Sequence, residues 1–273
     1  MTELTPDQVA GNWSAIAADY EQAFEGLSAQ FADHALRLLE LRPGDRVLDV
    51  AAGTGAFSLL AARAGAEVLA TDFAPGMVAR LRERTAAAGL PGLTAEVMDG
   101  QALDLPDASF DVAASVLGLI FFPDQDRGLA ELRRVLRKGG RAAVVCWRDP
   151  ATLRLMTLVK EAVQKVVPGF QPPGTPPVWA RLAGAEALKA RMEAACFRDV
   201  EVVTSTAVQL IDAPETYWSG FTRSAPPLAH LFGQLGPEAT AAVGREYIGA
   251  LRAQSQDGVP TLTVEACIGL GRA

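Results

Sequence analysis

Apolar residues in the first thirty-odd positions recur every three or four. Trp13, Ile16, Tyr20, Phe24, Leu27 and Phe31 fall on one face, which predicts helix. A second helical pattern, Phe31 to Leu41, stops at Arg42-Pro43-Gly44-Asp45, where proline and glycine break it. The period then changes. Arg46-Val47-Leu48-Asp49-Val50 reads as a short buried strand, followed by the turn Ala51-Ala52-Gly53-Thr54-Gly55 and a helix carrying Phe57, Leu59, Leu60 and Ala61. Glu67 to Thr71 is a second strand ending on Asp72; Pro75 suits the first turn of the next helix and Gly89 the position just past its end. Leu93 to Met98 gives a third strand and Asp111 to Leu119 a fourth. A helix from Leu129 to Arg137 stops at Lys138-Gly139-Gly140 and hands over to a fifth strand, Arg141 to Trp147. Strands alternating with helices at this spacing are βαβ units, so the expected class is α/β, a parallel sheet covered on both faces.

Beyond Asp149 the alternation loosens. Leu153 to Val167 is helical and leads into residues 168–177, so dense in proline that they read as a stiff surface loop or lid. Gly184 to Cys196 is helical, and Val200 to Leu210 alternates like a strand. Two or three helices fill Ala213 to Gln254, with Pro237 at the start of the last, and Pro260 to Gly269 is a further strand.

Composition narrows the function. The chain has 273 residues, 49% hydrophobic and 21% charged, which is globular and long enough to bury a core. Its 25 Lys+Arg against 32 Asp+Glu give a net charge of −7, and no dense basic run offers a patch for nucleic acid or an anionic membrane. Cys146, Cys196 and Cys267 are too far apart for a zinc site or a disulfide framework, so no metal is expected. The N-terminus lacks a signal-peptide pattern, and the longest uncharged apolar run, Val112 to Phe122, is about half of a membrane span. A soluble, cytoplasmic protein is expected, monomer or homodimer.

The chemistry concentrates at strand ends. A helix N-terminus beyond the Asp49–Gly55 turn presents unpaired N–H groups that suit a carboxylate or phosphate, and Gly53 and Gly55 let a ligand approach the backbone. A nicotinamide-binding turn would read G-x-G-x-x-G/A, but Ser58 stands at its third glycine position. Asp72, roughly 20 residues on, reads equally as a ribose-diol acceptor or as an N-cap for the helix at Pro75. Asp99, followed by Gly100 and Gln101, ends the third strand.

Taken in order, the glycine turn, Asp72, Asp99, the stretch Leu105-Pro106-Asp107-Ala108-Ser109-Phe110-Asp111 and Leu136-Arg137-Lys138-Gly139-Gly140-Arg141 resemble the class I S-adenosylmethionine-dependent methyltransferases, of the ubiquinone/menaquinone-biosynthesis type. Ala51 replaces the first glycine of that pattern. The resemblance covers about Leu41 to Trp147. It implies a Rossmann-like, doubly wound sheet of seven strands, mostly parallel with the last strand antiparallel, carrying helical cap insertions. It also implies S-adenosylmethionine as cofactor: its carboxylate by the Ala51–Gly55 amides after Asp49, its ribose on Asp72, and its adenine between Phe73 or Met77 and Asp99, with Gly100 and Gln101 beside the ring. Ser115 at the end of strand four would face the methionine moiety, and Tyr20 and Trp13 resemble residues that close over the cofactor.

Methyl transfer from a sulfonium needs a nucleophile held in line and water excluded, so no catalytic side chain is assigned. His34 reads as packing or surface; His230, in an apolar segment, reads as a helix residue or as part of an acceptor pocket. Phe121, Phe122, Trp179, Trp218, Phe221 and Phe232 suit either a core or a small apolar or aromatic methyl acceptor. The rival functions are an NAD(P)-dependent oxidoreductase and a non-catalytic S-adenosylmethionine-binding regulator. One domain over residues 1–273 is expected: a helical lid (1–35), a cofactor-binding core (36–149), cap segments (150–184 and 212–255) and the remaining sheet (185–211 and 256–273).

Overall fold

Buried runs such as Val47-Leu48, Val112-Ala113-Ala114 and Ala142 to Cys146 show no alternation, because both faces of these strands are covered. The computed structural model describes residues 4–171, 177–255 and 259–273. Its strands are β1 (Arg46–Val50), β2 (Glu67–Asp72), β3 (Leu93–Val97), β4 (Phe110–Val116), β5 (Leu136–Trp147), β6 (Arg198–Leu210) and β7 (Thr261–Arg272). They form one seven-stranded sheet in the order β3-β2-β1-β4-β5-β7-β6. The five strands from β1 to β5 run parallel, and β7 is antiparallel to both β5 and β6. The sheet matches the sequence expectation. Order reverses between β1 and β4, the crevice where open α/β sheets bind ligands.

Helices α1 (Ala10–Ala15), α2 (Ala17–Leu38), α3 (Ala56–Arg63), α4 (Pro75–Ala88), α5 (Gln125–Val135), α6 (Arg154–Val166), α7 (Ala185–Ala194), α8 (Pro214–Phe221) and α9 (Pro226–Arg252) flank it. None of the described helices is long and apolar enough to cross a membrane. The N-terminal pattern resolves differently from its reading. The chain breaks at Ile16, and α2 runs unbroken through both expected helical segments to Leu38. β4 stops short of Leu119 because Leu117 takes a positive φ of 57° and the chain turns into a 3-10 turn at Leu119–Phe121. Helix α5 begins earlier than expected, capped by the Asp124 side chain accepting from Arg127 N, and ends at Val135. Gly139-Gly140 therefore sits inside β5 as an irregularity rather than as a helix stop; Gly139 N donates to Ala273 O, and the β4–β5 register shifts alongside. Helix α9 kinks at Gly236, directly before Pro237, so the expected third helical piece starts where the sequence places it. Half of the proline-dense run, residues 172–176, lies outside the described residues.

Both sheet edges are guarded. The Gln30 side chain donates to Val208 O (2.9 Å) and accepts from Val208 N (3.0 Å), occupying the ladder groups of β6. On the opposite edge the Arg82 guanidinium donates twice to Ala95 O of β3.

Gly55 fixes the join of turn and α3. Its φ is +99°, and a Cβ there would lie 2.3 Å from Leu81 Cδ1, inside the α4 packing surface. Gly55→Ala is expected to lower stability by about 1–3 kcal/mol through overpacking and left-handed strain, read by urea denaturation.

Candidate functional site

The carboxyl ends of β1 to β4 border one cavity of about 260 Å³. Asp49, on β1, is 1% exposed and accepts a 2.5 Å hydrogen bond from Ser58 Oγ. The serine that breaks the nicotinamide pattern thus anchors the acid of the glycine turn. Asp72 ends β2 and accepts from Gly53 N and Ala74 N, both at 2.9 Å. The N-cap position of α4 is Ala74, so Asp72 ties the two turns together and does not cap the helix as such. A carboxylate has about four acceptor sites, which leaves lone pairs for a ligand. Asp99 holds its own turn, accepting from Gln101 N (2.9 Å) and Gln101 Nε2 (3.1 Å).

Burial dominates the electrostatics. Loss of hydration pushes the Asp49 carboxyl up to about 7, helped by the Asp72 and Glu25 charges and opposed by the Ser58 bonds. Asp72 is pushed up to about 6 by burial, against the two backbone N–H bonds. The Tyr20 phenol, bonded to Ser28, rises to about 12 by burial and by the carboxylates around it. Its ring closes over the turn: a Cβ at Gly53 would lie 3.6 Å from Tyr20 Cε1. Both folded values exceed the ordinary 3.8, so between about pH 4 and 7 the folded chain holds protons that the unfolded chain has released. These groups therefore stabilise fully below pH 4, and that contribution is lost as pH rises through 6 and 7. Asp49→Asn is expected to flatten the pH dependence of unfolding free energy in that window; an unchanged slope would contradict it.

Ten of the twelve proposed site residues share the cavity wall: Tyr20, Asp49, Ala51, Gly53, Asp72, Phe73, Met77, Asp99, Gly100 and Gln101. The other two stand behind it. Gly55 packs on Leu81, and Ser115 is fully buried with its Oγ accepting from Leu119 N at 3.0 Å. The cap contributes no described residue to this wall. Trp218, Phe221, Phe232 and Tyr247 pack on one another, with Trp218 4.9 Å from Tyr247 and 5.1 Å from Phe232. His230 is exposed beside Gln234, away from the cavity, and His34 bonds Ser205 of β6.

Sequence reading missed a second group on the wall, including Asp7, Gln8, Glu25, Thr54 and Met98, and placed Phe121 and Phe122 only as core or pocket. Glu25 pairs with Arg84 of α4 (2.7 Å), and Thr54 Oγ1 donates to it (2.8 Å). Arg84 also donates to Thr54 O (2.7 Å), so α2 and α4 brace the glycine turn from outside. Helix α1 sits hard on the start of α4: Gly76 N donates to Ser14 Oγ (3.0 Å), and Trp13 meets Phe121 at 5.1 Å. The Thr5…Gln8 capping spacing was the available signal for the first turn; Gln8 Oε1 accepts from Thr5 N at 3.1 Å. Glu25 had none, its partners lying far along the chain.

An α/β sheet with a glycine turn, buried acids on β1 and at the end of β2, and an exposed acid just beyond β3 has the features of a nucleotide-cofactor site. Comparison with known proteins specifies it. Residues 48–144 match the methyltransferase domain family. Demethylmenaquinone methyltransferase of Parafrankia sp. (strain EAN1pec) is 37% identical over 182 residues, spanning 60% of this chain and 72% of that one. An uncharacterised protein of Mycobacterium tuberculosis is 40% identical over 129 residues, and the match spans about half (47%) of either chain. The YcgJ protein of Bacillus subtilis has the same fold, with a TM-score of 0.57 at 19% identity over 88% of this chain and 98% of that one. The chain belongs to the S-adenosylmethionine-dependent methyltransferase family.

The cavity fits that cofactor. Two desolvated carboxyls with raised values favour hydroxyl donors and cationic groups, which a ribose diol, an ammonium and a sulfonium provide.

Proposed function

We propose that this protein transfers a methyl group from S-adenosylmethionine to a small apolar or aromatic acceptor. The observation that supports this best is one cavity joining Asp49, Asp72 and Asp99 to an aromatic wall of Trp13, Phe121 and Phe122. When bound, S-adenosylmethionine supplies an electrophilic sulfonium methyl. The chain's residues do the rest. Asp72 would accept from the ribose hydroxyls while its bond from Gly53 N holds the turn in place. Asp49, fixed by Ser58, would offer the ammonium of the methionine end a hydrogen-bond acceptor. Asp99 would accept from the adenine amino group, with Phe73 and Met77 offering apolar and polarisable faces. Trp13 on α1 and Tyr20 on α2 border the cavity and would keep water from the methyl while an acceptor is held in place.

Methyl transfer and the nicotinamide alternative separate in one assay. S-adenosylmethionine and S-adenosylhomocysteine are expected to raise the melting temperature, and NAD and NADP to leave it unchanged. Turnover is then read as S-adenosylhomocysteine release over a panel of small aromatic acceptors. A melting shift with nicotinamide cofactors alone would overturn the reading. Cofactor binding without turnover on any acceptor would favour the regulator.

A further inference from the structure

Asp7 lies in the first turn of the described chain, at the cavity, and is 4% exposed. Among the described residues its carboxylate has no hydrogen-bond or ion-pair partner; only its backbone carbonyl is used, accepting from Trp13 Nε1 at 2.8 Å. That bond ties the Asp7 backbone to the indole, and both residues border the cavity. The indole stands edge-on to Phe121 (5.1 Å) and to Tyr20 (5.9 Å), and all three rings border the cavity.

The charge around it is one-sided. Five carboxylates border the cavity (Asp7, Glu25, Asp49, Asp72 and Asp99), and no described Lys, Arg or His does. Four of the five are engaged: Glu25 with Arg84 and Thr54, Asp49 with Ser58, Asp72 with two backbone amides, Asp99 with Gln101. Asp7 alone of the five has no side-chain partner among the described residues, and a carboxylate so little exposed is costly without one. A protonated amine removes that cost. It gives the carboxylate a charge-assisted hydrogen bond, and its positive charge is attracted to the aromatic faces beside it.

We propose that Asp7, with Trp13 and Phe121, forms the subsite for a protonated amine on the methyl acceptor, making the acceptor class a small aromatic or apolar amine. This rests on the methyltransferase reading above. At this subsite Asp7 favours an ammonium over a neutral hydroxyl of the same shape and disfavours a carboxylate in the same position.

The test uses three isosteric probes, 2-phenylethylamine, 2-phenylethanol and phenylacetate. Each is titrated calorimetrically into the intact chain saturated with S-adenosylhomocysteine at pH 7.5. The amine is expected to bind at least tenfold more tightly than the alcohol, and phenylacetate least. Asp7→Asn is expected to bring the amine down to the alcohol's affinity and leave S-adenosylhomocysteine binding unchanged. Equal binding of amine and alcohol to the wild type, no binding of the amine, or a preference that survives in Asp7→Asn would each overturn the proposal. So would a tenfold loss of S-adenosylhomocysteine affinity in Asp7→Asn, which would assign the residue to the cofactor. The wild-type comparison decides the matter even where the variant does not fold. If the folded wild type fails to bind S-adenosylhomocysteine, the methyltransferase reading falls, and the three-probe comparison without it still decides the amine subsite.

Discussion

Asp72→Ala is expected to weaken S-adenosylmethionine binding by about 1–3 kcal/mol, roughly fivefold to more than a hundredfold in Kd. Two losses combine. The ribose hydroxyls lose a charged acceptor, and Gly53 N and Ala74 N lose the oxygen that aligns the turn with the end of β2. Asp72→Asn separates them, since the amide keeps one acceptor oxygen of the same reach while the charge is removed. Calorimetry on the folded variants reads both effects. Unchanged affinity in Asp72→Ala would remove Asp72 from the ribose site.

Gly76→Ala tests the closed wall from outside the cavity. A Cβ at Gly76 would lie 2.5 Å from Ser14 O and 2.6 Å from Ser14 Cα, so backbone must move and α1 is the short element that yields. Trp13 moves with α1, and the apolar packing of Trp13, Ile16, Ala17, Ala74 and Met77 opens. The expected cost is about 1–3 kcal/mol, an overpacking penalty, appearing mainly as weaker cofactor binding and faster amide exchange over residues 10–17. Stability loss with unchanged cofactor affinity and unchanged exchange in that segment would show that α1 is no part of the site.

The two halves of the site differed in how legible they were. Asp49, Gly53, Asp72 and Asp99 could be read because each closes a strand at a turn, and strand–turn–helix grammar is local. Glu25, Asp7 and the Phe121 contact could not, because α1 and α2 reach the turn by docking across the chain: Ser14 bonds a residue 62 positions away, and Thr54 donates to one 29 away. No periodicity records such a meeting. The aromatic residues misled for a related reason. Composition cannot tell a ring that packs on rings from one that lines a space, and Trp218, Phe221 and Phe232 do the former while Phe121 and Phe122 do both. Among the elements, the fourth strand was overdrawn because nothing in a leucine announces the positive φ of Leu117. The glycine pair 139–140 reads as a helix stop in the sequence but falls inside β5, which Leu136 begins by pairing with Phe110.

The strand order also dictates when the pocket is ready. β7 lies between β5 and β6, so β6 has no sheet partner until residues 261–272 have emerged from the ribosome. Helix α2, which carries Tyr20 and Glu25 to the glycine turn, is moored on β6 through Gln30, His34 and the Gln209–Ala23 bond, contacts separated by 171 to 186 residues. During synthesis the five parallel strands can assemble with their acids in place. The wall that closes over them gains its mooring only when β7 slots in, so cofactor retention should follow the synthesis of residues 261–272 rather than that of the five parallel strands.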